Sequence, residues 1–145
     1  MKNVASIGGL LKKIYRVYSQ KLLMLLEAKG FTDLRPSFLE VLKFISDSDG
    51  PSIRIIGEAL GLKKQTMTSH LNELEKRGYI VRKQNEVDRR EQNVFLTEYG
   101  QKFKFALGQC MEVVEKQYID TVGFVELERI DLQLQKFYQK IKPTS

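Results

Sequence analysis

The stretch from Ser52 to Thr97 constrains the fold more than any other part of the chain, because its apolar residues change their spacing partway along it. Up to Arg77 they recur every three or four positions, which is typical of helices. From Tyr79 onward, two short β-prone segments flank a polar, charged tip. This order predicts a helix, a turn, a second helix and a β-hairpin wing.

The first helix of this stretch is expected to follow Ser52, whose hydroxyl can accept a hydrogen bond from the free amides of a first helical turn. The apolar Ile53, Ile56 and Leu60 share one face of that helix. Gly61 follows at the position where a left-handed residue would end it. The pattern therefore predicts a short helix between these two residues.

The second helix is predicted to run from about Lys64 to Arg77. Met67, Leu71 and Leu74 lie one turn apart and are expected to face the core. Gly57, a small residue in the first helix, is expected to let the second helix approach closely, as in a helix-turn-helix.

The opposite face of the second helix is short, polar and mostly uncharged. Its residues are Gln65, Thr68, Ser69, Asn72 and Lys76, with Thr66 flanking them. Amide and hydroxyl side chains can bond base edges in the DNA major groove. A solvated helix face without a ligand is the alternative interpretation.

The two β-prone segments, Tyr79–Lys83 and Asn93–Leu96, are predicted to form the strands of the wing. Its tip carries Asp88, Arg89 and Arg90. A hairpin is narrow enough to place an arginine in the minor groove, where the potential is most negative. An aspartate two positions earlier is expected to brace that arginine by a charge-assisted hydrogen bond.

At these residues the chain resembles the MarR family of bacterial winged-helix repressors. The matching pieces are the LGL turn with the TMT that opens the second helix, the run LEKRGYIVRK, and the Asp88–Arg89–Arg90 tip followed by LTEYG. The resemblance implies that Arg90 is the minor-groove arginine and Asp88 its brace. It also implies that the outward residues from Gln65 to Asn72 read the major groove.

One departure from the family concerns Lys63 and Lys64, which stand where members often have a capping serine or aspartate. Each lysine opposes the helix dipole by about a few tenths of a kcal/mol. DNA phosphates would offset that cost, so both lysines are candidate DNA-binding residues. Two solvated lysines are the other interpretation, and the sequence leaves both open.

The whole chain is expected to form a single domain, residues 1–145, because its 145 residues and 42% hydrophobic content suit one compact core. Within it, 31–97 is the predicted winged helix-turn-helix region. The stretches 1–30 and 98–145 are the predicted helical dimerisation region. The predicted fold class is mainly α with a small β-wing. The net charge of +6 favours a polyanionic partner.

The terminal helices are predicted at about 7–28, 98–120 and 125–141, and Pro36 is expected to open another helix between the first and Ser52. The first of them is apolar over more than one stripe, which favours contact with a second chain as well as with its own core. A homodimer on a palindromic operator is therefore expected.

Catalysis, metal binding and cofactor binding are not expected. The sole histidine, His70, lies in the second helix as a packed or DNA-side residue, and the sole cysteine, Cys110, lies far from it. A single cysteine excludes an intramolecular disulfide framework, so a cytoplasmic location fits best. Cys110 is interpreted as a core residue rather than a redox sensor. No apolar run approaches about 18 residues, so membrane insertion is not expected.

The favoured function is a homodimeric, sequence-specific DNA-binding regulator, namely a repressor released by a small-molecule effector. By resemblance, a small aromatic effector is expected in a cleft lined by Tyr15, Tyr18, Phe38, Phe103 and Phe105, although an ordinary aromatic core would use the same residues. Two other functions remain open: a winged-helix protein-interaction module and a constitutive architectural DNA binder.

Overall fold

The computed structural model describes residues 2–144, which contain six helices and two strands. In chain order they are α1 Lys2–Ala28, α2 Pro36–Ser46, α3 Ile53–Leu60, α4 Lys64–Lys76, β1 Ile80–Gln84, β2 Gln92–Leu96, α5 Glu98–Val122 and α6 Phe124–Ile141. This order confirms the predicted mainly-α fold with a β-wing. Helix α1 begins five residues earlier than the predicted Ile7, and α5 ends two residues later than predicted.

The chain divides into two compact units within α5, the first ending at Cys110 and the second beginning at Met111. The first unit holds α1 to β2 and the beginning of α5. The second holds the rest of α5 and all of α6. The predicted division into regions 1–30, 31–97 and 98–145 stays a prediction.

The helix boundaries around α3 are set by the predicted residues. The Ser52 hydroxyl oxygen accepts a hydrogen bond from the Ile55 amide at 3.1 Å, which caps the start of α3. Gly61 ends the helix with a left-handed backbone, at a φ of 65°. Thr97 caps α5 in the same way, because its Oγ1 accepts from the Gly100 amide at 3.0 Å.

The core of the first unit is formed by the inward faces of its helices and by the start of the wing. Its fully buried side chains include Leu22, Leu26, Phe38, Leu42, Ile56, Met67, Leu71, Leu74, Tyr79, Ile80 and Phe103. The burial of Met67, Leu71 and Leu74 confirms the predicted inner face of the second helix. Packing of this face, rather than helix propensity, holds α4 in place.

Strand β1 begins at Ile80, one residue later than predicted, and Tyr79 directly before it is the centre of an aromatic cluster. Its ring lies 5.6 Å from that of Phe103 and 6.4 Å from that of Phe31, between ring centroids. Its hydroxyl donates to Oδ1 of Asp33 at 2.7 Å. Burial, followed by this hydrogen bond, raises the pKa of Tyr79. The side chain therefore packs in the core, while the Tyr79 carbonyl accepts from the Thr97 amide at 3.0 Å, next to the first strand pair, Ile80 with Leu96.

Close backbone approach requires glycine at Gly100 rather than at Gly57. A Cβ built at Gly57 would lie 3.5 Å from the Leu62 carbonyl oxygen and 4.0 Å from Met67 Cγ on α4, which are ordinary contacts, so alanine would fit there and the expectation of a small residue stands as a prediction. A Cβ at Gly100 would overlap the Tyr79 carbonyl oxygen and lie 3.1 Å from Leu96. Gly100 thus lets α5 pack directly on the base of the wing.

The wing is an antiparallel pair with a register running from Ile80–Leu96 to Gln84–Gln92. The middle of β2 is attached to the turn between α2 and α3. The Val94 amide donates to the Pro51 carbonyl at 2.9 Å, and Asn93 Nδ2 donates to the Gly50 carbonyl at 2.7 Å. These bonds hold the wing against the helix-turn-helix.

The helices at the two ends of the chain carry many exposed apolar side chains. In α1 these are Val4, Ile7, Leu10, Leu11, Ile14, Tyr15, Val17 and Met24. Within Phe124–Ile141 no side chain is buried, although α6 carries a stripe that includes Ile130, Leu134 and Phe137. Of the helices in residues 2–144, none combines the length and the apolar character that crossing a membrane requires.

Candidate nucleic-acid interface

The side of α4 that points away from the core is polar and open to solvent, and it is called here the outer face of α4. The exposed residues there and at the start of the helix are Lys63, Lys64, Gln65, Thr66, Thr68, Ser69, Asn72 and Lys76. Six residues, Lys64, Gln65, Thr68, Ser69, Asn72 and Glu73, line an open hollow of about 680 Å³ on this side. The structure thus brings the predicted helix residues together.

The start of α4 is positively charged and lacks a side-chain cap. Lys63 occupies the cap position with an extended backbone, and in the described chain its side chain makes no capping hydrogen bond. The first turn of α4 also holds no acidic residue. An uncapped helix start with two lysines attracts anions, because the amides and the helix dipole add to the lysine charges.

His70 packs toward the core and does not lie on the outer face of α4. Its ring meets Phe38 edge-on with 5.5 Å between centroids, and the Arg35 guanidinium lies 4.2 Å above the same phenyl ring. Among the described residues, His70 Nδ1 is buried without a hydrogen-bond partner. Desolvation, and to a smaller extent the nearby Arg35 charge, lowers the pKa of His70. The structure therefore favours the packed interpretation of this residue.

The wing tip presents Arg90 to solvent, with a side chain that is 90% exposed. Its Nε donates to Oδ1 of Asp88 at 3.1 Å and its Nη2 donates to Oδ2 at 3.3 Å. This two-point bond lowers the pKa of the Asp88 carboxyl. The ion pair that the sequence predicted is present, and Arg89 beside it is also exposed.

Asn85 shapes the turn at the wing tip. Its side-chain oxygen accepts from the amides of Val87 and Asp88, each at 2.8 Å. Its Nδ2 donates to Oδ1 of Asn93 at 2.9 Å, which ties the turn to β2. The tip therefore has a defined backbone from which Arg90 projects.

A groove of about 760 Å³ separates the start of α4 from the wing, and it is called here the helix–wing groove. It is lined by Ile53, Arg54, Gly57, Glu58, Gly61, Leu62, Lys64, Met67, Thr68, Arg82, Arg90, Glu91 and Gln92. Sequence reasoning missed Arg54, Arg82 and Glu91 as part of this surface. Arg54 and Glu58 have the spacing of a helical ion pair, but no local pattern reveals that Arg54 also meets Glu91, 37 positions away.

Two of the five residues predicted for the effector cleft line one cavity. A cavity of about 280 Å³ is lined by Tyr15, Tyr18, Leu22, Leu39, Glu40, Lys43, Phe44, Asp47, Leu60 and Leu107. Tyr15 and Tyr18 therefore line the same cavity, with ring centroids 6.1 Å apart. Burial, followed by the Glu40 charge, raises the pKa of Tyr15.

The other three residues predicted for the cleft do not line this cavity. Phe38 and Phe103 are fully buried, whereas Phe105 is 71% exposed. Residues two positions apart on a helix differ by about 200° in direction, so Phe103 and Phe105 lie on opposite sides of α5. For the same reason Phe38 points away from Glu40 on α2. Phe44 and Leu107 line the cavity instead.

Cys110 is 1% exposed, and burial, although opposed by the nearby Lys29 charge, raises the pKa of its thiol. A buried, protonated thiol is a poor nucleophile. Both observations agree with the interpretation of Cys110 as a small core residue.

Comparison with known proteins agrees with this geometry. Residues 32–91, which contain α2, α3, α4, β1 and the wing tip, match the sequence model of the MarR family. The transcriptional regulator SarZ of Staphylococcus epidermidis is 30% identical over 100 residues, which is 69% of this chain and 66% of that protein. The chain belongs to the MarR family. It spans slightly less than two thirds of the length of this relative.

Solved structures of other proteins share the fold. A MarR transcriptional regulator from Methanosarcina mazei superposes with a TM-score of 0.80 at 21% identity, covering 94% of this chain and 96% of that one. Streptococcus pneumoniae FabT in complex with DNA superposes with a TM-score of 0.79 at 22% identity, covering 96% and 97%. These similarities establish the MarR-type winged-helix fold for nearly the whole chain.

Proposed function

We propose that this MarR-family chain is a transcriptional regulator that binds double-stranded DNA through the outer face of α4 and the wing tip. One observation carries the proposal: a helix buried on one side exposes a continuous polar face on the other, beside a wing with a 90% exposed Arg90. A helix fits the major groove, and a hairpin arginine fits the minor groove. The relatives described as transcriptional regulators, and FabT solved with DNA, support it.

The side chains would contact either bases or phosphates, depending on their chemistry. Gln65, Thr66, Thr68, Ser69 and Asn72 carry amides and hydroxyls, which hydrogen-bond base edges and so specify sequence. The lysines of α4 and Arg89 neutralise phosphates, which contributes affinity without sequence preference. Arg90 would enter the minor groove, held in direction by Asp88.

We also propose that the chain acts as a homodimer, as predicted from its terminal helices. The exposed apolar residues of α1 and the absence of any buried side chain within Phe124–Ile141 support this, because an amphipathic helix without apolar contacts gains little stability in water. A two-fold dimer would place two α4 helices about 34 to 36 Å apart and would require a palindromic operator. Light scattering at micromolar concentration tests this, and a monomer would refute it.

Regulation by a small aromatic effector is the remaining part of the proposal, with the tyrosine-lined cavity of about 280 Å³ as its site. That volume lies just below the range of about 300 to 1,000 Å³ that is typical of ligand pockets, so only a small ligand would fit. A ligand that binds better to the DNA-free conformation would release the protein from its operator, and the protein would then act as a repressor. Thermal-shift screening tests this: a true effector raises the unfolding temperature and weakens DNA binding, and its absence would favour a constitutive binder.

Selection of binding sites from random duplex DNA, followed by titrations at several salt concentrations, tests the central proposal. We expect a palindromic preference and an affinity that falls steeply with salt, because phosphate neutralisation releases counterions. Weak salt dependence would favour a protein-interaction module. Steep salt dependence without sequence preference would favour an architectural DNA binder.

A further inference from the structure

The helix–wing groove contains a charged cluster made of Arg54, Glu58 and Glu91, called here the Arg54 cluster. Arg54 Nε donates to Oε1 of Glu91 at 3.0 Å, and its Nη1 donates to Oε1 of Glu58 at 3.1 Å. Arg54 and Glu58 belong to α3, whereas Glu91 directly precedes β2, so the cluster connects α3 with the wing. The Arg54 and Glu58 side chains are 60% and 65% exposed, so the cluster is open to an approaching ligand.

The position of the groove determines what has to pass the cluster when DNA binds, if the proposed function is correct. A single sugar–phosphate strand separates a major groove from the adjacent minor groove. With α4 in the first and Arg90 in the second, that strand crosses the space between them. Lys64 and Arg90 line the same groove as the Arg54 cluster. In that arrangement the DNA backbone would run along the cluster.

The cluster itself carries one excess negative charge, because one guanidinium faces two carboxylates, whereas Lys64 and Arg90 elsewhere in the groove are positive. Arg82, another basic residue of the groove, does not offset the excess, since its Nη2 is bound to Oε2 of Glu75 at 2.6 Å and its side chain is only 19% exposed. A like charge about 6 Å from a phosphate in water weakens binding about threefold. Added salt screens this repulsion.

We propose that the Arg54 cluster faces the DNA backbone and that its excess carboxylate charge limits the affinity for DNA of any sequence. Arg54 itself contacts the phosphates, because a guanidinium has five N–H groups and the two carboxylates occupy only some of them. Contacts to phosphates carry no sequence information, so the cluster sets the strength of binding and not the choice of site.

The variants Glu58→Gln and Glu91→Gln test the proposal, because glutamine keeps an oxygen that accepts from Arg54 but removes the charge. Glu126→Gln is the matched control, since Glu126 forms an exposed helical ion pair with Arg129 at 3.6 Å on α6 and its loss changes the net charge equally. Fluorescence anisotropy would give the Kd for a random duplex and for the selected operator.

At low salt, Glu58→Gln and Glu91→Gln are each expected to lower the Kd about threefold for both duplexes, with the difference shrinking as salt is added. Arg54→Ala is expected to raise both Kd values, because it leaves two uncompensated carboxylates. Thermal unfolding should change little, since exposed ion pairs contribute little to stability.

Two results would overturn the proposal. If both glutamine variants bind no more tightly than Glu126→Gln, the cluster does not face the backbone. If either binds more weakly, its charge serves to hold Arg54 in place and does not limit affinity. The wild-type titrations in the same series test the proposed function separately, because steep salt dependence supports it whatever the variants do. Salt-insensitive wild-type binding would refute the proposed function and this inference together.

Discussion

Replacing Arg90 with alanine tests whether the wing belongs to the DNA-binding surface. The Arg90 side chain is 90% exposed and its guanidinium bonds to Asp88, so its loss should leave the fold intact. Surface substitutions change stability by no more than about 0.5 kcal/mol, or about 2 °C for a chain of this size. In DNA binding, loss of a groove-inserted arginine should cost about 1 to 3 kcal/mol, or roughly 5- to 150-fold in Kd.

The assay is a fluorescence anisotropy titration of the operator at several salt concentrations. Besides the weaker binding, the slope of log K against log salt concentration should shrink by about one unit, because one fewer phosphate region is neutralised. Arg129→Ala, which removes an arginine from an exposed ion pair on α6, is the control and should change neither quantity beyond the loss of one net charge. Asp88→Ala should have a smaller effect than Arg90→Ala, because the brace orients the arginine but also partly neutralises it. An Arg90→Ala protein with unchanged affinity and salt slope would exclude the wing from the interface.

Three further predictions follow from the packing and the outer face of α4. Gly100→Ala should lower the free energy of unfolding by about 1 to 3 kcal/mol, because the added Cβ overlaps a backbone carbonyl. Gly108→Ala should raise it by about 0.5 to 1 kcal/mol, because a Cβ there meets no atom within 4 Å. Thermal unfolding of the two variants tests both expectations. Because folding lowers the pKa of His70, the stability of the protein should fall as the pH drops below the unfolded-state pKa of about 6.5. Between about pH 7.5 and 5.5, the unfolding temperature of a His70→Gln protein should therefore decrease less than that of the wild type. Asn72→Ala should relax the preference at particular base pairs with little change in the salt slope, which repeated site selection would reveal.

The helix-turn-helix and the wing were predictable because local signals determine them. The Ser52 cap, the left-handed Gly61 and the one-turn spacing of Met67, Leu71 and Leu74 each act within a few residues. The contact between Asp88 and Arg90 was predictable for the same reason, since the two lie two positions apart in one turn.

Most of the differences concern contacts between distant parts of the chain. An aromatic residue is recognisable in a sequence, but whether it lines a cavity or fills the core depends on the neighbouring elements, as Phe38 shows. The grouping of Phe103 with Phe105 is different, because their two-residue spacing already places them on opposite sides of one helix. The pairing of Arg54 with Glu91 joins α3 to the wing across 37 positions, and no periodicity reports it. The packing of Tyr79 against Phe31 and Phe103 likewise joins residues from distant parts of the chain.

The attachment of the wing to the turn before α3 limits how this protein can change shape. Swinging the wing away from α4 would break the bonds from Val94 to Pro51 and from Asn93 to Gly50, and an unpaired buried backbone group costs about 1 to 3 kcal/mol. These two bonds therefore favour movement of the wing together with the helix-turn-helix over movement of the wing alone. In the proposed dimer, an effector would change DNA affinity by altering the distance between the two winged helix-turn-helix regions. The shape of each region would stay the same.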